Sequence, residues 1–151
     1  MTNINNLVKL IFEQKDNDTK SGFNANIEEE TISNNDFRRV LYTGKHSQLV
    51  LMSLKSNEEI GMEVHKDNDQ FFRIEKGSGK CIINSNEYLL TNGSAIVVPA
   101  GAEHNVINTS KAEDLKLYTI YSPPHHKDGI VYKTKEEAEN SDEKFDGKTT
   151  E

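Results

Sequence analysis

The 151-residue sequence has one cysteine, three prolines and no tryptophan, and its 18 basic residues are outnumbered by 25 acidic ones, for a net charge of −7. Each shortage excludes something. Cys81 is alone and cannot close an internal disulfide, and no Cys–His pairs at zinc-finger spacing accompany it. It reads as a small hydrophobe buried in a strand. The acidic balance, without any stripe of Lys or Arg, removes the attraction that drives binding to a phosphate backbone, so no nucleic-acid partner is expected. No apolar run approaches the roughly 20 residues that cross a bilayer. Met1-Thr-Asn-Ile-Asn offers neither the basic start nor the apolar stretch of a signal peptide. A soluble, cytoplasmic protein without membrane association is expected. Nucleophile elbow, phosphate loop and dinucleotide fingerprint are missing too, which leaves covalent acyl transfer and nucleotide chemistry without support.

What is present divides the chain into three. A length near 150 residues fits one domain. Hydrophobic residues are 34% of the chain, a small share even with nine glycines added, against about 45–50% for both together in an average soluble domain. Part of the chain should therefore lie outside the core. Residues 1–35 form an N-terminal arm with one apolar patch, Leu7-Val-Lys-Leu-Ile-Phe12. Leu7, Leu10 and Ile11 fall at i, i+3 and i+4, which predicts one or two turns of amphipathic helix on a mobile arm or in a subunit contact.

Residues 36–124 change to short β-type runs. The predicted strands are Arg38–Tyr42, Gln48–Leu54, Gly61–His65, Phe71–Glu75, Lys80–Ile83, Glu87–Leu90, Ala95–Val98, His104–Asn108 and Leu115–Tyr121. Their spacing, with almost no helical periodicity between them, predicts an all-β sandwich or barrel. Asn84-Ser-Asn86 and Thr91-Asn-Gly93 read as hairpin turns, because Asn and Gly tolerate positive φ. Residues 125–151 form a polar tail. Thr134-Lys-Glu-Glu137 has the form of a capping box and predicts a short helix. From Lys133 to Glu151 the tail holds seven acids and four lysines, which suggests a solvated helix and a frayed end without chemistry. No internal repeat is evident.

The most informative stretch is Gly93-Ser-Ala-Ile-Val-Val-Pro99-Ala-Gly101-Ala-Glu-His104-Asn-Val-Ile-Asn108. Physically it is a buried strand, a Pro-x-Gly turn and a second strand whose first inward side chain is an imidazole. As a pattern, G-x5-P-x-G-x2-H-x3-N, it resembles at every fixed position the second signature motif of the cupin superfamily. The first motif of that family, G-x5-H-x-H-x(3,4)-E-x6-G, fits the upstream segment from Asn57 to Gly77 in spacing and departs in identity. Asn57 stands for the opening Gly, Glu63 for the first His, His65 for the second and Gln70 for the Glu. The resemblance covers Arg38 to Ser122. It implies a double-stranded β-helix, a jelly-roll barrel, here with an N-terminal arm and a short C-terminal helix.

Alternation agrees with this register. With His65 inward, Glu63 shares its face; with Gln70 inward, Phe72 and Ile74 line the same interior, while Phe71 and Arg73 face outward. In the family the four positions Glu63, His65, Gln70 and His104 hold one divalent metal. Two imidazoles and a carboxylate suit Fe, Zn, Mn or Ni, and Gln70 adds a neutral carbonyl oxygen or orients another ligand. An alternative register uses Asp67 beside His65, and a polar pocket without metal stands beside both, since two of the four ligand positions depart from the family.

Other residues read more plainly. His125-His126 after Ser122-Pro123-Pro124 read as an exposed loop, with a cap on the barrel mouth or a stray-metal site as the alternatives. His46 reads as surface. Tyr118 and Tyr121 face opposite sides of one strand, so at most one lines the pocket. Arg73 reads as a salt-bridge partner on the outer face, and Leu49–Leu54 and Ile96–Val98 as core. A small-molecule ligand, such as a sugar phosphate or an organic acid, is the expected partner. Metal-dependent isomerisation, metal-dependent oxygenation and non-catalytic binding or sensing all remain open, and no catalytic residue can be named. The exposed edges of an open barrel, with the patch at Leu7–Phe12, suggest a homodimer.

Overall fold

The computed structural model describes residues 4–17 and 19–151. Its strands, in chain order, are β1 (Arg38–Thr43), β2 (Gln48–Leu54), β3 (Glu63–Val64), β4 (Asp69–Lys76), β5 (Gly79–Ile83), β6 (Asn86–Leu90), β7 (Ala95–Val98), β8 (Glu103–Asn108), β9 (Leu115–Ser122) and β10 (Val131–Tyr132). They form two antiparallel sheets, one of order β10-β1-β2-β9-β4-β7 and one of order β3-β8-β5-β6. The nine runs read from the sequence are all strands. The run Gly61–His65 shortens to the two residues of β3, and β10, too brief to show alternation, was missed.

Alternation places one face of each strand in the shared interior. Val50, Met52 and Leu54 of β2, Phe72 and Ile74 of β4, Cys81 of β5, Val106 of β8, and Leu115 and Leu117 of β9 form the core. Two apolar expectations need correction. Leu51 is buried but faces out of the barrel, opposite to its neighbours Val50 and Met52. Val97, expected in the core, is 65% exposed because it alternates with Val98. The Asn84-Ser85 turn closes the β5–β6 hairpin, with Asn84 at φ 52°. Thr91-Asn-Gly93, expected to close another, carries the chain from one sheet to the other: β6 pairs with β5, while β7 pairs with β4.

The arm departs from expectation. Helix α1 (Ile4–Asn17) is longer than one or two turns, and the side chains from Ile4 to Ile11 are exposed. A second helix, α2 (Ile27–Ser33), was not expected. Asn26 caps it by accepting from Glu29 N, and Glu28, Glu29 and Glu30 complement the positive end of its dipole. Far from being a mobile strap, this part packs on the outer face of the six-stranded sheet, where Thr31 and Asn34 are buried and Lys116 donates to Asn34 O and Asn35 Oδ1. Burial pushes the Lys116 ammonium below its usual range.

The tail also differs from a frayed end. Thr134 caps α3 (Lys135–Glu139) as expected, accepting from Glu137 N at 3.2 Å while Glu137 reaches back to Lys133 N. Beyond it the chain returns across the barrel: Phe145 N donates to His125 O, and Thr150 N to Thr43 O. Among the described residues no helix is long and apolar enough to cross a membrane.

Candidate metal centre

Antiparallel pairing of β3 with β8 sets Glu63 directly opposite His104. His65 follows β3 and is tied to the next motif through its carbonyl, which accepts from Gly101 N at 2.8 Å. Gly101 sits at φ 88° in the Pro99–Ala102 turn, a conformation that explains the glycine. Gln70 reaches in from β4 of the other sheet. The Asn57 that replaces the family's opening glycine has φ 61°, within the range asparagine tolerates better than most residues. Gly77 has φ 108°, and a Cβ there would stand 2.7 Å from Asp114 O, so both conformation and space demand glycine.

One ligand atom from each of Glu63, His65 and His104 lies within 4.8 Å of the others. Glu63 Oε2 and His65 Nε2 are 3.2 Å apart, and His104 Nε2 and Gln70 Oε1 are 3.1 Å apart. Gln70 Nε2 donates to Thr119 Oγ1. Asp67, the alternative beside His65, is exposed, and it is not one of the three residues whose ligand atoms gather here. Asn108, which closes the second motif, takes no part: its amide donates to the carbonyls of Leu54, Lys55 and Glu113 at the opposite end.

The electrostatics are graded. Burial pushes the Glu63 carboxyl up, but the hydrogen bond and charge of His65, with the fields of Arg38 and His104, outweigh it and hold the group below its usual value. Burial pushes His104 down, against the hydrogen bond to Ala102 O, so its imidazole is neutral near pH 7. A neutral His104 that donates from Nδ1 to Ala102 O at 3.1 Å presents a lone pair at Nε2. That lone pair faces Gln70 Oε1, another acceptor. Two arrangements relieve the conflict: the amide turns over, giving NH2 to His104 and oxygen to the Thr119 hydroxyl, or a cation lies against both atoms.

The pair His125-His126, expected in an exposed loop, is packed beside this cluster. The His125 ring stands 4.3 Å from that of His65 and stacks on Tyr121 at 5.2 Å, and His126 is 8% exposed with Nε2 3.2 Å from Tyr121 Oη. Burial pushes His125 down to about 4 and His126 well below 6.5, and it pushes the Tyr121 phenol up. Tyr121 therefore donates to a neutral His126. Gln48 seats the loop: its Oε1 accepts from both His125 N and His126 N, and its Nε2 donates to His126 O and Thr43 Oγ1.

Arg38 is the residue that sequence reasoning missed. It opens β1 on the same face as the core residue Val40, is 7% exposed, and lies over the Phe37 ring at 5.3 Å. Its Nε is buried without an acceptor among the described residues, a state that costs on the order of 1–3 kcal/mol or more for a charged group. Its positive field reaches Glu63, Tyr121, His125 and His126. Tyr118, Arg73, His46 and Cys81 lie as expected. Tyr118 packs outward on Phe71, Arg73 pairs with Glu75 at 3.4 Å, His46 is exposed, and burial raises the Cys81 thiol to about 11.

Residues 50–121 match the family model described as Cupin domain. The chain is 50% identical over 110 residues to uncharacterized protein L612 of Acanthamoeba polyphaga mimivirus, a match covering 71% of this chain and 69% of that one. It is 49% identical over 122 residues to uncharacterized protein YrkC of Bacillus subtilis (strain 168), covering 77% of this chain and 65% of that one. The crystal structure of BH2720 from Bacillus halodurans superposes with a TM-score of 0.78 at 42% identity, over 82% of this chain and 97% of that one.

Proposed function

The chain belongs to the cupin family, and on that premise we propose that the cluster at the polar end of its barrel holds one divalent metal and works on a small polar metabolite. Glu63, His65 and His104 are the proposed protein ligands, with Gln70 completing the set or orienting His104. The observation that carries the reading is the donor set itself: three ligand atoms within 4.8 Å, with a neutral imidazole whose free lone pair faces a carbonyl oxygen. One carboxylate against a dication leaves a net +1, which favours an oxygen ligand from the metabolite.

A metal bound there supplies Lewis acidity toward that oxygen. The chain's own residues do the rest. The Ala102 carbonyl fixes the tautomer and ring plane of His104, as a hydrogen-bonded outer shell does for metal-bound histidines. The low-lying carboxyl of Glu63 stays ionised near pH 7. Tyr121, His125 and His126 wall one side of the site with neutral rings.

Metal content of the untagged protein, measured by mass spectrometry beside a His65→Ala, His104→Ala double variant, tests the reading. About one equivalent, lost in the variant, is the expected result. No metal in either protein after reconstitution with Fe, Zn, Mn and Ni overturns it. Ligand-induced melting shifts without chelator-sensitive turnover would instead assign a binding module.

A further inference from the structure

Beside the metal cluster lies a cation that the preceding reading leaves without work. Arg38 is 7% exposed, its Nε has no acceptor among the described residues, and it forms no ion pair with Glu63 although the two line one cleft. That cleft, of about 130 Å3, is bounded by Phe37, Arg38, Ile60, Glu63 and, from α3, Lys135 and Glu139. An arginine inside a barrel without a carboxylate of its own is expensive, and stacking on Phe37 satisfies none of its donors.

We propose that Arg38 is an anion-recognition residue: it receives the carboxylate of a small organic acid whose other oxygen is directed to the Glu63, His65 and His104 cluster. This deepens the metal-pocket reading and rests on it for the reacting end of the ligand, though not for its charged end. Two features suit a carboxylate. The guanidinium is a planar fork that matches two carboxylate oxygens. The cleft, of about 130 Å3, is open at one side and has room for a carboxylate head beside the guanidinium.

Glycolate, its neutral counterpart glycolamide, and inorganic phosphate serve as probes. Each is titrated into full-length protein labelled with 15N-arginine, both metal-free and with one equivalent of Zn2+ added, while the Nε–H signal of Arg38 is followed. Arg38→Met and Arg38→Lys are titrated in parallel by calorimetry. Glycolate should shift the Arg38 signal to saturation and glycolamide should not. Arg38→Met should weaken glycolate by about tenfold or more in both forms, with partial recovery in Arg38→Lys, the loss expected for a charged hydrogen-bond partner. Equal glycolate affinity in wild type and both variants, or an unmoved Arg38 signal at saturation, overturns the assignment. Phosphate binding as tight as glycolate overturns the carboxylate class. Failure to take up Zn2+ overturns the metal reading alone, because the metal-free titration still decides the role of Arg38.

Discussion

The interior of this barrel has two ends built from the same strands, and they differ in chemistry while sharing one geometry. Along β2 the inward positions run Gln48, Val50, Met52 and Leu54; along β4, Gln70, Phe72 and Ile74; along β9, Tyr121, Thr119, Leu117 and Leu115. The pairings Gln48↔Tyr121, Gln70↔Tyr121, Met52↔Leu117 and Leu54↔Leu115 keep like with like. One end is therefore a packed apolar plug and the other a polar chamber. The difference teaches that burial alone says nothing of purpose. The apolar end gains stability from each side chain it hides, whereas the polar end hides Gln70, His104, His126 and Arg38 at a cost that fold stability must offset.

The comparison breaks or sharpens under four measurements. Leu117→Ala at the apolar end should cost about 2–5 kcal/mol in urea unfolding while metal stoichiometry stays unchanged. Loss of the metal in a folded Leu117→Ala protein would show that the two ends are not separable. Gln48→Ala, at the boundary, strips the acceptor from two backbone N–H groups and should cost about 1–3 kcal/mol. Its signature is faster amide exchange at His125 and His126, with the amides of β5 untouched.

Acid should act on the polar end. His126 takes up a proton far less readily in the folded protein than its ordinary value of 6.5 allows, so below that pH the unfolded chain binds the proton first. The stabilisation is fully present above pH 6.5 and is lost as pH falls below it, by about 1.4 kcal/mol for each unit of depression. Metal-free protein unfolded in urea at pH 7.5, 6 and 5 should show this slope, and His126→Gln should reduce it to the share of His104 and His125. Equal slopes would remove His126 from the account. Smallest is Thr134→Ala, which removes the cap of α3 at a cost of about 1 kcal/mol and should leave both ends intact by metal content and by the Leu117 methyl signals.

How legible this was from the sequence depended on distance along the chain. Glu63, His65, Gln70 and His104 could be brought together on paper because strand alternation and motif spacing act over few residues, and the turn glycines carried their own conformational signal. Arg38 carried none. A charged residue opening a strand reads as solvent-facing, and its burial depends on Glu63 and α3, far along the chain. The loop at His125 and His126 was misread for the same reason, since its seat is a glutamine 78 residues earlier. The helix from Ile27 carried a local signal that went unread: Asn26 followed three residues later by Glu29 is a capping pattern.

Gln48 grips the loop that carries His125 and His126 by its main chain, taking both N–H groups and giving to one carbonyl, and it touches neither imidazole. This anchor is therefore independent of which side chains the loop bears. Substitution at His125 can replace the ring beside the His65 imidazole and leave the anchor in place. The barrel has a socket there, in which a single substitution at His125 re-equips the chamber without rebuilding its wall.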